Sequence, residues 1–354
     1  MSYPRLKNWL DERYDLTDVK KFAKSKLIPE HRYDLLYYTG GITLFLFVLQ
    51  FITGMLLAMY YVPHIDHAYE SIIEIVTKIN LGWFFRSLHH WGAQLTILFL
   101  FIHLFGTLLV KAYRKPREMV WITGFILLII SIFFGLSGYL LLWDERAFAA
   151  VRVATGGAGA LPVFGGFIKA FLRGGMDVTG DTIVRFYAFH VSILPLLSLL
   201  MIGLHVLLVQ YHGVSVPRSE IKDPQPTVPF FPNVFYKDMI IWLIVLGVVV
   251  TLAVLAPPEI GIKADPLAPP PANIKPEWYF LMVLETLKLF PGTIFGLNGE
   301  TIAIICVVVG ISFLFLIPFF DRKANRGEES TVFTVIAVIY VVYFVVMTAV
   351  GFLS

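Results

Sequence analysis

The chain has 354 residues, of which 57% are hydrophobic and only 15% charged, and its mean hydropathy is +0.75. Soluble domains carry about a quarter charged residues, so this composition excludes a soluble protein and predicts an integral membrane protein. The net charge of +3 is spread over loops and indicates no nucleic-acid partner. The single cysteine, Cys306, excludes a disulfide framework and a cysteine-ligated metal centre.

Seven apolar runs have the length of about 20 residues that a helix needs to cross the hydrocarbon core. Lys and Arg concentrate between the second and third runs, whereas acidic residues dominate between the first and second. The positive-inside rule therefore predicts that the N-terminus is cytoplasmic, and we expect the membrane to be the cytoplasmic membrane of a prokaryote. We call the runs the first to seventh spans, at roughly 36–62, 84–110, 119–142, 186–211, 236–256, 301–319 and 331–353.

Two long loops and two proline-rich stretches organise the chain. The loops 143–185 and 257–300 both lie on the outer face, and their length and apolar character suit a roof over a site. Proline-rich segments at 223–232 and 265–276 mark the boundary region between an N-terminal and a C-terminal group of spans. We therefore predict an all-α integral membrane fold, with an N-terminal four-helix bundle over 1–220 and a C-terminal three-helix unit over 221–354.

Four of the nine histidines fall inside spans, His89 and His103 on the second and His190 and His205 on the fourth. Separations of 14 and 15 residues put two histidines on one face of each helix, about 21 to 22 Å apart. The two spans run parallel, so each helix contributes one histidine at each of two depths. A lone intramembrane histidine is usually a helix–helix hydrogen bond. Four in matched register instead favour two six-coordinate haems b, held without covalent attachment.

Glycines at the same interval of 14 give a second, independent signal on the neighbouring spans: Gly40, Gly54, Gly124 and Gly138. Although glycine is common in transmembrane helices, here it lets a flat macrocycle approach the backbone. Arg86 lies one turn before His89. It is interpreted either as a partner of a haem propionate or as a snorkelling interfacial side chain. His90 is expected to be structural and His31 to be solvated.

Six short motifs stand out in the sequence: RSLHHW (86–91), FIHLFG (101–106), KPREMVWITG (115–124), GYLLLWDE (138–145), RFYAFH (185–190) and PEWYF (276–280). Together they resemble the signatures of cytochrome b of the cytochrome bc and bf complexes. The seven-span layout and the interval of 15 are closer to the photosynthetic-type branch, in which the four-helix and three-helix units are separate polypeptides. Here the two units are joined.

The resemblance implies the cytochrome b subunit of an enzyme complex, a quinol:cytochrome c oxidoreductase or one with another acceptor. In such a Q cycle, quinol is oxidised at an outer site and quinone is reduced at an inner site, with transmembrane electron transfer through two haems b and proton translocation. The implied partners are a Rieske iron–sulfur protein, a c-type cytochrome or equivalent acceptor subunit, and a second copy of the complex in a homodimer.

The PEWYF motif supplies the residues expected at the outer quinol site. A carboxylate at a partly dry position has a raised pKa and can accept a quinol proton, which is the role we assign to Glu277. Tyr279 beside it would hydrogen-bond or pack against the ring, and Tyr139 and Trp143 would complete the wall. The alternative is that this Glu and this Tyr only anchor an amphipathic segment at the interface.

The inner site is predicted from the start of the fifth span. Lys237 and Asp238 resemble a Lys-Asp pair that approaches quinone in the mitochondrial type, and the alternative is a plain surface ion pair. His212 is a further candidate there. The photosynthetic branch binds an extra haem through a cysteine, but the matching residue is Tyr38, so an additional inner-side haem stays open without that thioether.

Two other functions are compatible with intramembrane histidines. One is a di-haem b membrane anchor of a dehydrogenase or hydrogenase, which uses a single quinone site. The other is a transporter whose histidines relay protons. Membrane anchors of this kind lack the PEWYF motif and the long outer loop that this chain has. A transporter would show internal repeats or broken helices, which the sequence does not display.

Overall fold

A computed structural model describes residues 3–15, 18, 21, 25–268 and 275–354. Within these residues, seven helices are long and apolar enough to cross a membrane, which confirms the predicted number. The spans run over Asp34–Ala58, Gly82–Leu109, Glu118–Leu140, Gly180–His212, Phe230–Leu255, Gly299–Phe320 and Thr331–Leu353.

Shorter elements lie between and before the spans. The helices are α1 (Tyr3–Tyr14), α2 (Ala68–Thr77), α3 (Glu145–Gly159), α4 (Gly165–Arg173), α5 (Trp278–Lys288) and α6 (Arg322–Asn325). The strands are β1 (Leu27–Pro29), β2 (Thr227–Pro229), β3 (Thr293–Ile294) and β4 (Leu297–Asn298). The antiparallel pair β1–β2 joins the segments that precede the first and fifth spans, and β3–β4 is a small hairpin.

The fourth span is not a regular α-helix. A π turn over Phe189–Ile193 separates helical segments Gly180–Ala188 and Leu194–His212, and Pro195 lies at the start of the second segment. Proline has no backbone N–H to donate, and single-turn π bulges occur often at functional sites. The turn contains His190, so this local irregularity sets the direction of a predicted site residue.

The second span packs at the centre of the bundle. One buried apolar cluster joins it to the first and fifth spans through Ile42, Leu46, Leu88, Val245 and Val249. A second cluster joins it to the third, sixth and seventh spans through residues that include Leu104, Leu108, Phe125, Ile317 and Ala337. The second span is therefore held on both sides, and its side chains face both the N-terminal and the C-terminal helices.

The two long outer loops meet, as predicted for a roof. The backbone N–H of Glu145 donates to the carbonyl of Ile262 at 3.0 Å, and that of Ala264 donates to Trp143 at 3.0 Å. The Asp144 carboxylate caps α3 by accepting from the N–H of Ala147 at 2.8 Å. The division of the chain at residue 220 stays a prediction.

Candidate functional site

The structure brings the four intramembrane histidines together in two pairs. The rings of His89 and His190 face each other with centroids 6.1 Å apart and planes at 76°. His103 and His205 lie within electrostatic reach of each other. The second and fourth spans thus present one histidine each at two depths, which is the arrangement that helix geometry predicted.

Each of the four intramembrane histidines rests against one of the four glycines. The structure sets these glycines against the imidazole rings, where an added Cβ would be closer than ordinary van der Waals contact. A Cβ would lie only 3.1 Å from Cε1 of His103 at Gly40, 3.2 Å from Cε1 of His89 at Gly54, 3.0 Å from Cε1 of His205 at Gly124 and 2.6 Å from Cε1 of His190 at Gly138. An added Cβ would therefore force the His190 ring to move at Gly138, and at the other three glycines the ring would have to give by a few tenths of an ångström.

A hydroxyl group contacts Nδ1 of each of the four intramembrane histidines. Each hydroxyl belongs to the residue directly before one of the four glycines, and each also contacts a main-chain carbonyl of its own helix. The sequence signal that could have revealed them is a hydroxyl–glycine dipeptide that occurs twice in the first span and twice in the third. The pairs are Thr39 with His103 at 2.9 Å, Thr53 with His89 at 2.9 Å, Thr123 with His205 at 3.0 Å and Ser137 with His190 at 3.0 Å.

These contacts assign the tautomer of each imidazole. A hydroxyl has one proton, and it is donated to the helix carbonyl, so the hydroxyl oxygen accepts from Nδ1–H. Nδ1 then carries the proton and Nε2 keeps a free lone pair, which is the form that binds a metal. Hydrogen bonding of the other ring nitrogen is the usual means of fixing a metal-bound histidine.

The separation of the His89 and His190 rings fits an iron held between them. Two metal–nitrogen bonds of about 2 Å, each followed by about 1 Å from nitrogen to ring centre, span about 6 Å, which matches the separation of His89 and His190. The donor set, two neutral imidazoles at each depth with glycine on the neighbouring helices, suits a flat macrocycle and leaves no coordination position for substrate.

A cavity of about 630 Å³ adjoins His89 and His190, which we call the outer pair because the predicted orientation puts them nearer the outer face. His89 and His190 line it together with Gly54 and Gly138, and it extends to Tyr139, Glu277 and Tyr279. One continuous space therefore connects the outer histidines with the residues predicted for the quinol site. Sequence reasoning missed His90, Gln94 and Tyr61, which also line it.

Glu277 immediately precedes α5 and lies against the second span. Its Oε2 accepts from Nε2 of Gln94 at 2.8 Å, and Oε1 of the same amide accepts from Nε1 of Trp278 at 2.8 Å. Burial raises the pKa of Glu277, the hydrogen bond from Gln94 lowers it, and Asp144 raises it further. The net direction is upward, as predicted for a proton acceptor at a partly dry site.

Tyr279 is 5% exposed, and its hydroxyl abuts Gly135 of the third span. Burial raises its pKa well above the ordinary value, so the phenol is neutral. Trp143 is a correction: with a φ of 51° it turns away from the cavity, is 1% exposed and packs against Phe148. The Trp143 ring packs within the loop region that forms the roof, whereas Tyr139 does line the cavity.

Arg86 has partners that the sequence did not predict. The side chain is buried, with N–H groups donating to the carbonyls of Pro258 at 2.7 Å and Glu259 at 3.3 Å, so it is not a snorkelling interfacial residue. It lines the cavity while fixing the loop after the fifth span. A cation bonded to two carbonyls keeps further donors for an anion in the same space.

The residues predicted for the inner site are only partly brought together. Asp238 is half-buried and faces Gly41, where a Cβ would lie 3.0 Å from its Oδ1, while Lys237 is exposed. His212 is at the end of the fourth span, where its carbonyl accepts from Arg117 at 3.0 Å. His31 is a correction, because it is buried at 8% exposure instead of solvated.

Comparisons with known proteins agree with this arrangement. The family model Cytochrome b/b6/petB matches residues 23–213, and Cytochrome b(C-terminal)/b6/petD matches residues 263–354. A cytochrome bc complex cytochrome b subunit of Chlorobaculum thiosulfatiphilum is 41% identical over 343 residues, covering 96% of this chain and 79% of that protein. Cytochrome b6 of Synechococcus sp. (strain JA-3-3Ab) is 39% identical over 210 residues, covering 59% of this chain and 97% of that protein. A solved structure titled "Hyperthermophilic respiratory Complex III" aligns with a TM-score of 0.86 and 29% identity, covering 97% of this chain and 90% of that one.

Proposed function

The chain belongs to the cytochrome b family, and we propose that it oxidises quinol in the outer cavity and passes electrons inward through two haems b. It is an integral membrane subunit of a bc-type quinol oxidoreductase. The observation that carries the proposal is the single cavity that His89 and His190 share with Glu277. The membrane-anchor and transporter alternatives have no comparable support.

The chain's own residues would hold both cofactors and set their chemistry. His89 and His190 would bind the outer haem and His103 and His205 the inner one, each through Nε2, with Nδ1–H donated to a hydroxyl. When bound, each haem supplies a one-electron carrier with no open coordination position. The glycines keep the neighbouring helices clear of the imidazoles.

Quinol oxidation releases two electrons and two protons. Glu277 would accept one proton at its carboxylate, and its raised pKa brings it closer to the pH at which a base works efficiently. Tyr279 and Tyr139 would bind the quinol ring, since both line the cavity beside that carboxylate. On the inner side Asp238 would supply a proton to quinone, with Lys237 and His212 as further candidates for contact with it.

The rest of the proposal concerns the setting of the chain. One electron would go to a Rieske iron–sulfur protein and from there to a c-type cytochrome or equivalent acceptor, in a homodimeric complex. The N-terminus would lie on the cytoplasmic side of a prokaryotic cytoplasmic membrane. Residues 1–220 and 221–354 would form its two units.

The test is a dithionite-reduced minus oxidised spectrum of the purified complex with a pyridine haemochrome count. We expect two haems b per chain, and one or none in His103→Ala. His67→Ala is the control, because His67 is exposed before α2 and should keep both haems. A wild-type complex without haem b, or an unchanged count in His103→Ala, would overturn the proposal.

A further inference from the structure

Gln94 connects the second span to the segment that carries Glu277. It lies five residues after His89, in the same 28-residue helix, and it lines the same cavity. Its amide makes two hydrogen bonds of 2.8 Å, one to the Glu277 carboxylate and one from the Trp278 indole. The two partners are consecutive residues, so one side chain holds the start of α5 at two points.

The chemistry of the three groups fixes which way the amide faces. An indole N–H can only donate, so the amide oxygen must face Trp278. The NH2 group is then left to face Glu277, and it favours the ionised carboxylate as its acceptor. Trp278 therefore orients Gln94, and Gln94 orients the carboxylate.

The ionisable groups that interact electrostatically with the Glu277 carboxylate do not favour its charged form. Asp144 of the outer loop, Tyr139 of the third span and Tyr279 of α5 all interact with it electrostatically, and each is an acid. Arg86 and His90 line the same cavity from the second span. Gln94 donates a hydrogen bond to this carboxylate, in a cavity wall where burial works against ionisation.

We propose that Gln94 is a positioning residue for quinol oxidation, which holds the Glu277 carboxylate ionised and in place as the proton acceptor. The inference rests on the proposed function, because it assigns a role through Glu277. The quinol is the same one, and Gln94 sets the pH above which the Glu277 carboxylate is ionised and can accept its proton. A merely structural link between α5 and the second span would leave that pH unchanged.

The experiment measures duroquinol oxidation against pH in the purified whole complex. Glu277 acts as a base only when ionised, and a hydrogen bond to the charged form lowers its pKa. In Gln94→Leu that bond is lost, the pKa rises, and the acid limb of the rate profile should move to higher pH by about one unit. Gln94→Glu should move the limb in the same direction, because a second carboxylate repels the first.

Two further variants complete the design. Gln50→Leu removes an amide from the same cavity, but Gln50 packs against Gly92 and not against Glu277, so the acid limb should keep its midpoint. Trp278→Phe leaves Gln94 in place without its orienting donor, and a smaller shift to higher pH is expected. If Gln94→Leu fails to assemble, as judged by its haem b count, the pH profile of Trp278→Phe tests the proposal instead. An unshifted acid limb in Trp278→Phe would then overturn it.

The outcomes separate this inference from the proposed function. A slow Glu277→Gln enzyme together with an unshifted Gln94→Leu profile would overturn the role of Gln94 and leave Glu277 as acceptor. A Glu277→Gln enzyme with wild-type turnover would overturn both. A shift in Gln94→Leu equal to that in Gln50→Leu would also overturn the inference, because the effect would then belong to the cavity and not to the carboxylate.

Discussion

Replacing the four site glycines by alanine should damage haem binding in a graded order. A Cβ on Gly138 would lie 2.6 Å from the His190 ring, whereas at Gly54 the corresponding distance to His89 is 3.2 Å. Carbon atoms make ordinary contacts at about 3.5 to 4.0 Å, so His190 would have to move by about 1 Å and His89 by only a few tenths. The structure therefore predicts that Gly138→Ala is the most severe variant and Gly54→Ala the mildest.

The size of the shift decides the outcome. Metal–ligand distances are held to within about 0.2 Å, so a ring displaced by about 1 Å can no longer serve as a ligand from its present helix position. Overpacking elsewhere in a protein costs about 1 to 3 kcal/mol, and at this site that cost falls on ligand geometry. Gly138→Ala should retain one haem b per chain, at the inner pair, while Gly54→Ala should retain two.

The assay is the pyridine haemochrome count with the reduced minus oxidised spectrum of each purified variant. Gly203→Ala and Gly247→Ala are matched controls within the fourth and fifth spans, because a Cβ at either position meets no atom within 4 Å. The reasoning is refuted if Gly138→Ala keeps as much haem as Gly203→Ala, or if Gly54→Ala loses more haem than Gly138→Ala.

Three further outcomes follow from other contacts. Thr53→Val leaves the N–H of His89 without its acceptor, at a cost of about 1 to 3 kcal/mol, so the outer haem should be lost at a lower temperature than in wild type. Thr251→Val is the control, because the Thr251 hydroxyl donates to the carbonyl of Gly247 in its own helix. Glu277→Gln should slow quinol turnover by about 100-fold or more with an unchanged haem count, and wild-type turnover would contradict the acceptor role. Asp321→Asn weakens a buried cluster with Tyr113 and should lower the melting temperature of the complex without changing turnover at 25 °C, a result that an unshifted melting curve would exclude.

Features decided by the thickness of a bilayer or the pitch of a helix could be predicted from the sequence. Apolar runs of about 20 residues gave the number of spans, because a helix of that length crosses the hydrocarbon with its backbone hydrogen bonds satisfied internally. The register of His89 with His190 followed from a rise of about 1.5 Å per residue in two parallel helices. Both depend on distances along one helix, which a sequence displays directly.

Contacts that depend on loop conformation could not be predicted. Arg86 bonds to the carbonyls of Pro258 and Glu259, more than 170 positions away, and carbonyls have no sequence signature. Trp143 was expected in the cavity wall, but its left-handed backbone points the ring into the roof. Sequence reasoning also missed Gln94, since its partners come from α5, and nothing in the second span shows which helix will lie beside it.

The second span explains how these separate features act together. One helix of 28 residues carries His89 and His103, the loop anchor Arg86 and the carboxylate partner Gln94. Five residues separate His89 from Gln94, which is about 7.5 Å along the axis. A helix packed on both sides cannot change that spacing without disturbing two apolar clusters. The spacing between His89 and the side chain that holds Glu277 is therefore set by a helix that both clusters hold in place, although Glu277 itself lies outside that helix, just before α5.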